Sequence, residues 1–179
     1  TPKHHQTLHP LKPISRKLPL KLVIKSSEVI KGAITFGLFD TIAALILGEF
    51  SWLRMVGMTL IGATVYAIEI PSFFAWIEGK SQTMNDTWGK WYKTLMTVAY
   101  FNPLWIARHM LFIYLLNHQP LSWSIMQAAW QSFLYGLLVS TAANYLIQNK
   151  VPIKQRFLAS SFFSGCMAIF YAVSAVVFK

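Results

Sequence analysis

The chain has 179 residues and a formal charge of +10, with 55% hydrophobic and 12% charged residues; its mean hydropathy is +0.45. Soluble domains carry about 25% charged residues, and a chain this short has no core large enough to hide so much apolar surface. The composition therefore argues against a soluble domain and for an all-α integral membrane bundle. It also argues against nucleic-acid binding, because the basic residues are gathered in a tail and in loops between long apolar runs.

Residues 1–31 form a basic tail. Lys3, Lys12, Arg16, Lys17, Lys21, Lys25 and Lys31 lie in it with four prolines and no acid before Glu28. Such a segment is expected to lie on anionic lipid headgroups, each cation contributing about 1 kcal/mol near that surface; a docking arm for a partner protein is the competing reading. His4, His5 and His9 have no Cys or acid beside them, so no metal or other cofactor is expected. Residues 1–30 hold neither the apolar run nor the small-residue site of a secretory signal.

A membrane-crossing helix needs about 20 mostly apolar residues. Five stretches within 32–179 qualify, at about 32–50, 54–77, 94–117, 122–147 and 157–178. The links are a tight turn at Gly48 to Leu53, a polar loop at Glu78 to Lys93, a turn at Asn117 to Leu121 and a basic turn at Gln148 to Arg156, short enough to make neighbours antiparallel. The tail, Lys80, Lys90, Lys93, Lys150, Lys154 and Arg156 fall on one side, and Arg54 and Lys179 on the other. Excess Lys and Arg mark the cytoplasmic side, so the tail is expected inside. Trp52 and Trp123 should mark the outer interface, and Trp76, Trp88 and Trp91 the inner one.

Polar residues within the apolar runs are the candidate site. Asp40, followed by Thr41, is nine residues from Lys31; Glu69 is nine from Glu78; Asn102 is nine from Lys93. At 1.5 Å per residue all three lie about 13 Å inward, which suggests one shared polar layer. Pro71 and Pro103 would free the carbonyls of Ala67 and Ala99 close to that layer. Such carbonyls need partners or a hydrated cavity, so a vestibule opening to the cytoplasm competes with kinks healed by neighbouring hydroxyls. Ionisable groups inside spans usually face a bundle interior. Arg108, roughly 9 Å beyond Asn102, is therefore expected to neutralise Asp40 or Glu69, leaving the other carboxylate without a strong cation and with a raised pKa. Substrate carboxylate is a second expected partner for Arg108. His109 is expected to relay protons, hold a pigment or simply hydrogen-bond a neighbouring helix.

Span four carries Ala128, Ser132, Gly136, Ser140 and Asn144 at intervals of four, and span five carries Ser160, Ser164, Ala168 and Ala172. Residues four apart share a helix face, and small residues let helices approach closely in lipid. Both seams are expected to be packing surfaces within the chain, or contacts in a homo-oligomer. The single Cys166 offers neither a disulfide framework nor a Cys-based metal site.

Several of these strings resemble one family. "FDTIA" (Phe39 to Ala43) looks like the Asp-Thr motif that opens bacterial L-alanine exporters. "LRMVG" (Leu53 to Gly57) resembles that family's Arg followed by apolar residues, and "AYFNP" (Ala99 to Pro103) its aromatic-rich, proline-containing entry to span three. Gly136 and Ser140 stand where the family carries a glycine pair. The similarity covers about residues 28–150, with the spans in the same order. It implies a small exporter of alanine in the bacterial inner membrane, driven by the proton motive force. The family has four spans, whereas this chain adds a fifth after Lys150, and Glu69 and Arg108 have no counterpart in the family pattern.

Two function classes follow. The first is a proton-coupled exporter of alanine or a similar small amino acid, working through Asp40, Thr41, Glu69, Asn102, Arg108 and His109. The second is a non-catalytic subunit of a larger respiratory or photosynthetic complex, in a bacterial or organelle inner membrane, where the same charges would be structural pairs. No HExxH, GxSxG, Ser-Lys or paired-Asp arrangement supports an enzyme.

Overall fold

The run predicted as the first span belongs to a longer helix. In the computed structural model, which describes residues 25–177 and their side chains as far as residue 170, α1 is Ser26–Leu47. It ends at Gly48, whose φ of 72° is the left-handed conformation that glycine adopts without steric cost. The N–H groups of Gly48 and Glu49 turn back onto the last carbonyls of the helix. Ser51 then caps α2, its side chain accepting from the Arg54 N–H at 3.1 Å. The tail's charges up to Lys21, His4, His5, His9, Lys179 and the side chain of Ala172 lie outside the described residues.

Helix α2 comprises Trp52–Ile61, a π-helical segment Gly62–Tyr66 and Ala67–Ser81. Helix α3 comprises Asp86–Leu95, a π-helical segment Met96–Phe101 and Asn102–Leu116; α4 is Ser124–Lys150 and α5 is Ile153–Val177. The five helices follow the five apolar stretches in order, but most run on past the point where charge begins. The loop expected from Glu78 to Lys93 is the clearest correction. Asn85 accepts from the Trp88 N–H at 2.8 Å and caps α3, so most of that polar stretch is helical. Hydropathy ends with the apolar run, whereas a helix ends only where its backbone is capped.

Each proline follows a π segment, Pro103 in the first turn after Met96–Phe101 and Pro71 within the α-helical Ala67–Ser81. The Asn102 N–H reaches back to the Thr97 carbonyl, five residues away, and the Ala67 N–H reaches that of Gly62. A wide turn of this kind shifts the hydrogen-bond ladder by one residue. Asn102, at the end of that wide turn, faces α4.

Helix α1 lies at the centre, packed along α5 on one flank and α2 on the other, while α3 and α4 pair across from it. The apolar core, built on Phe36, Met58, Tyr66, Phe73, Phe74 and Phe157, joins α1, α2 and α5. Gly32 and Gly62 make the α1–α2 crossing possible, since a Cβ on Gly32 would stand 2.1 Å from the Gly62 carbonyl oxygen. No side-chain rotation relieves a clash with backbone. Gly32→Ala should therefore lower stability by about 1–3 kcal/mol, read as a fall in Tm of the detergent-solubilised chain. Gly79→Ala, with nothing within 4 Å of the added carbon, should leave Tm unchanged or slightly raised; equal losses in both variants would refute the crossing.

Helices α1 and α2 are each long and apolar enough to cross a membrane. Outside the core, large apolar side chains stand exposed, among them Tyr135 at 82% and Leu138 at 85% on α4.

Candidate functional site

Between α1, α3, α4 and α5 the helices leave a cavity of about 290 Å3. Its wall is mostly aliphatic and aromatic, with Trp105, Ile106, Met110, Phe133 and Phe163 among the lining residues. Polar groups enter that wall at three places.

The first is an ion pair at the α1–α2 hairpin. Arg54 donates from Nε to Asp40 Oδ2 at 2.9 Å and from Nη2 to Asp40 Oδ1 at 3.0 Å, a bidentate fork. A further bond runs from Arg54 Nη1 to Glu49 Oε2 at 3.1 Å. The side chains of Arg54 and Asp40 are only 3% and 5% exposed, yet both reach the cavity wall. The second is an amide–hydroxyl cluster. Asn102 Nδ2 donates to Ser140 Oγ at 2.8 Å, and Asn144 Nδ2 to the Ser140 carbonyl at 2.8 Å and its hydroxyl at 3.1 Å. The third is His109, whose Nδ1 is 3.0 Å from the Tyr66 hydroxyl and whose ring stacks on Trp105 at 4.8 Å.

A second group of polar and charged residues lies along the chain from the lining residues. One turn beyond Asn144 comes Gln148, fully buried, and one turn before Ser160 comes Arg156, 6% exposed. Arg156 donates to Glu78, which also accepts from Lys93 Nζ at 3.3 Å. Glu78 thus clasps α2, α3 and α5 together just past the apolar part of α2.

Several expectations change here. Arg108 does not face the cavity. It does form one of the two expected counter-ion pairs, a fork with Glu69, one bond being Nη1 to Oε1 at 2.8 Å. The carboxylate left over is not short of a cation, because Arg54 holds Asp40. Arg54 is not a loop charge either, being buried in the first turn of α2. The shared layer shrinks to Asp40 and Asn102, which line the cavity while Glu69 does not. Thr41 turns its hydroxyl onto the Gly37 carbonyl at 2.6 Å and is not among the lining residues. Ser132, Gly136, Ser140 and Asn144 of α4, with Ser160, Ser164 and Ala168 of α5, all line the cavity. Small side chains are what keep that space open.

One signal for Arg54 lay in the hairpin itself. Asp40 is seven residues before the end of α1 and Arg54 is the third residue of α2, a difference in height that an extended Arg side chain spans. Among the described residues no group of three His, Cys, Asp or Glu comes together that could hold a metal ion.

Such a site offers opposite charges a few ångströms apart, amide and hydroxyl donors, and an apolar wall. It can hold a small zwitterion. Comparison of the chain with protein-family models, with curated proteins and with solved structures finds no match.

Proposed function

We propose that the chain is a small multi-pass transporter of the bacterial inner membrane that exports alanine or a similar small amino acid with proton coupling. The observation that carries this reading is the buried Asp40–Arg54 pair on the wall of a cavity inside an apolar bundle. An amino acid's ammonium is a partner for Asp40 and its carboxylate a partner for Arg54, so a bound zwitterion replaces the interaction it breaks. At about 30 Å3 per water molecule, the cavity holds roughly ten waters, enough room for alanine's six heavy atoms.

Further features support insertion in a bilayer. Trp52 and Trp123, 71% and 75% exposed, stand at one end of the bundle, and Trp88, 68% exposed, at the other, as two interfacial belts require. Exposed leucines and aromatics lie between them, a surface that lipid covers without cost. The resemblance of Phe39 to Ala43 and Leu53 to Gly57 to L-alanine exporters takes in the two segments that supply Asp40 and Arg54. In this reading the substrate ammonium and a proton compete for Asp40, so that one is exchanged for the other.

The test is efflux. Cells expressing the chain and loaded with an alanine dipeptide should release alanine faster than cells lacking it, and collapsing the proton gradient should remove the difference. Equal release with and without the chain would end the export reading.

A further inference from the structure

The cavity explains Asp40 and Arg54 but leaves a second ion pair unexplained. Glu69 and Arg108 stand on the outer flank of the bundle with 35% and 30% of their side-chain surfaces uncovered. Arg108 falls on a stripe of α3 with Tyr100, Leu104, Leu111 and Leu115, spaced by three and four residues along one face. Tyr100, Leu104 and Leu115 are 54%, 56% and 49% exposed. Beside the stripe a groove of about 520 Å3 opens between Leu104, Arg108 and Leu111 of α3 and Trp123 and Met126 at the start of α4. In the membrane reading above, on which this inference rests, that face meets acyl chains, and an ion pair there is costly unless something other than lipid covers it.

We propose that this face is the interface of a homodimer in which the Glu69–Arg108 pairs of two copies meet. Copies inserted by one charge asymmetry share one orientation, so a two-fold axis between them runs along the membrane normal. Across such an axis each residue meets the partner at its own depth. Glu69 and Arg108 are bonded to each other and hence share a depth, which makes the face self-complementary: the carboxylate of one copy meets the guanidinium of the other. Each group has capacity to spare, since the bonds within one pair use two of the five guanidinium N–H groups and two of about four carboxylate lone pairs. The leucine stripe and the adjoining groove give the rest of the face its relief. Inside each copy Arg108 also lies over the Tyr66 ring at 5.9 Å, and the Tyr66 hydroxyl meets His109 on the cavity wall, so the interface adjoins the site.

The full-length chain, in native membranes and with Cys166 changed to Ser, tests this through single cysteines. Oxidation with copper phenanthroline should convert Leu104→Cys mainly to a covalent dimer. Leu138→Cys, at comparable depth on the far side of α4 and 85% exposed, should stay at least fivefold less cross-linked. Equal cross-linking at the two positions, or a Leu104→Cys product joined to a different protein, would overturn the proposal. In the Leu104→Cys background, Arg108→Glu and Glu69→Arg should each lose dimer when expressed alone and regain it when expressed together, because one presents two acids and the other two cations. Failure of the mixed pair to recover while both variants accumulate would also overturn it; if either does not accumulate, the cysteine contrast with native charges decides alone. Resistance of the chain to carbonate extraction reports on the membrane reading separately, and efflux on the transport reading, so neither failure is mistaken for loss of the dimer.

Discussion

Asp40→Asn should abolish alanine efflux and destabilise the bundle together, and the two losses should then separate in a double variant. Asn keeps the shape of the side chain but removes the charge that faces the Arg54 fork. Arg54 is then left buried with Glu49 as its remaining acid, and Glu49 is 45% exposed. Stranding a buried guanidinium costs about 3–5 kcal/mol, which should appear as a large fall in Tm in detergent. Removing both charges, as Asp40→Asn with Arg54→Gln, strands nothing, and neutral replacement of a buried pair is often tolerated. Most of the lost Tm should return. Efflux should not, because the zwitterion then finds neither partner. Recovery of efflux in the double variant would show that the pair is structural and that substrate binds elsewhere. Arg54→Lys adds a graded case: the charge remains, but a point-like ammonium cannot form the two-pronged bond, so weakened efflux with partial stability is expected.

The contrast between what could and could not be read in advance follows from geometry. Apolar runs of twenty residues announce helices, and short polar links announce antiparallel neighbours, so the five rods and their order were legible. Counting residues along each rod gives height but not direction around the rod. Asp40, Glu69 and Asn102 were therefore expected in one layer, yet only Asp40 and Asn102 line the cavity, while Glu69 pairs with Arg108 outside it. The same blindness left open whether Arg108 would meet Asp40 or Glu69; it meets Glu69. Arg54 was missed for another reason: counting it with the loops ignored the Ser51 cap, which starts α2 before the Arg and draws it inside. The seams of small residues were ambiguous in a deeper way. Ser132, Gly136 and Ser140 on α4 and Ser160, Ser164 and Ala168 on α5 are small whether two helices touch or leave a space between them. Only the packing in three dimensions, with α1 against α5 where Gly165 meets Phe39, shows both seams lining one cavity.

Glu78→Gln should open the charged end of the bundle, with an effect that depends on pH. Glu78 is the one acid among the described residues bonded to both Arg156 and Lys93, whose side chains are 8% and 11% exposed. Neutralising it leaves two largely buried cations facing each other, a loss of about 2–4 kcal/mol at neutral pH on the scale of broken buried pairs. Burial works against ionisation of Glu78, but the hydrogen bond and charge of Arg156, with the charge of Lys93, outweigh it and hold the carboxyl below its usual 4.5. A carboxyl whose pKa is lower folded than unfolded contributes its full stability above the unfolded value and loses it as pH falls through the folded one. The Tm difference between the native chain and Glu78→Gln should thus be constant from pH 7 down to about pH 5 and shrink below that. A difference that stayed level through pH 3, or that first appeared on acidification, would show that the clasp is not electrostatic. Under the proposed transport function, and with Arg156 one turn from Ser160 of the cavity wall, the same variant should leak. Efflux that becomes less dependent on the proton gradient in Glu78→Gln, with Asp40 and Arg54 intact, would be the functional sign of that leak.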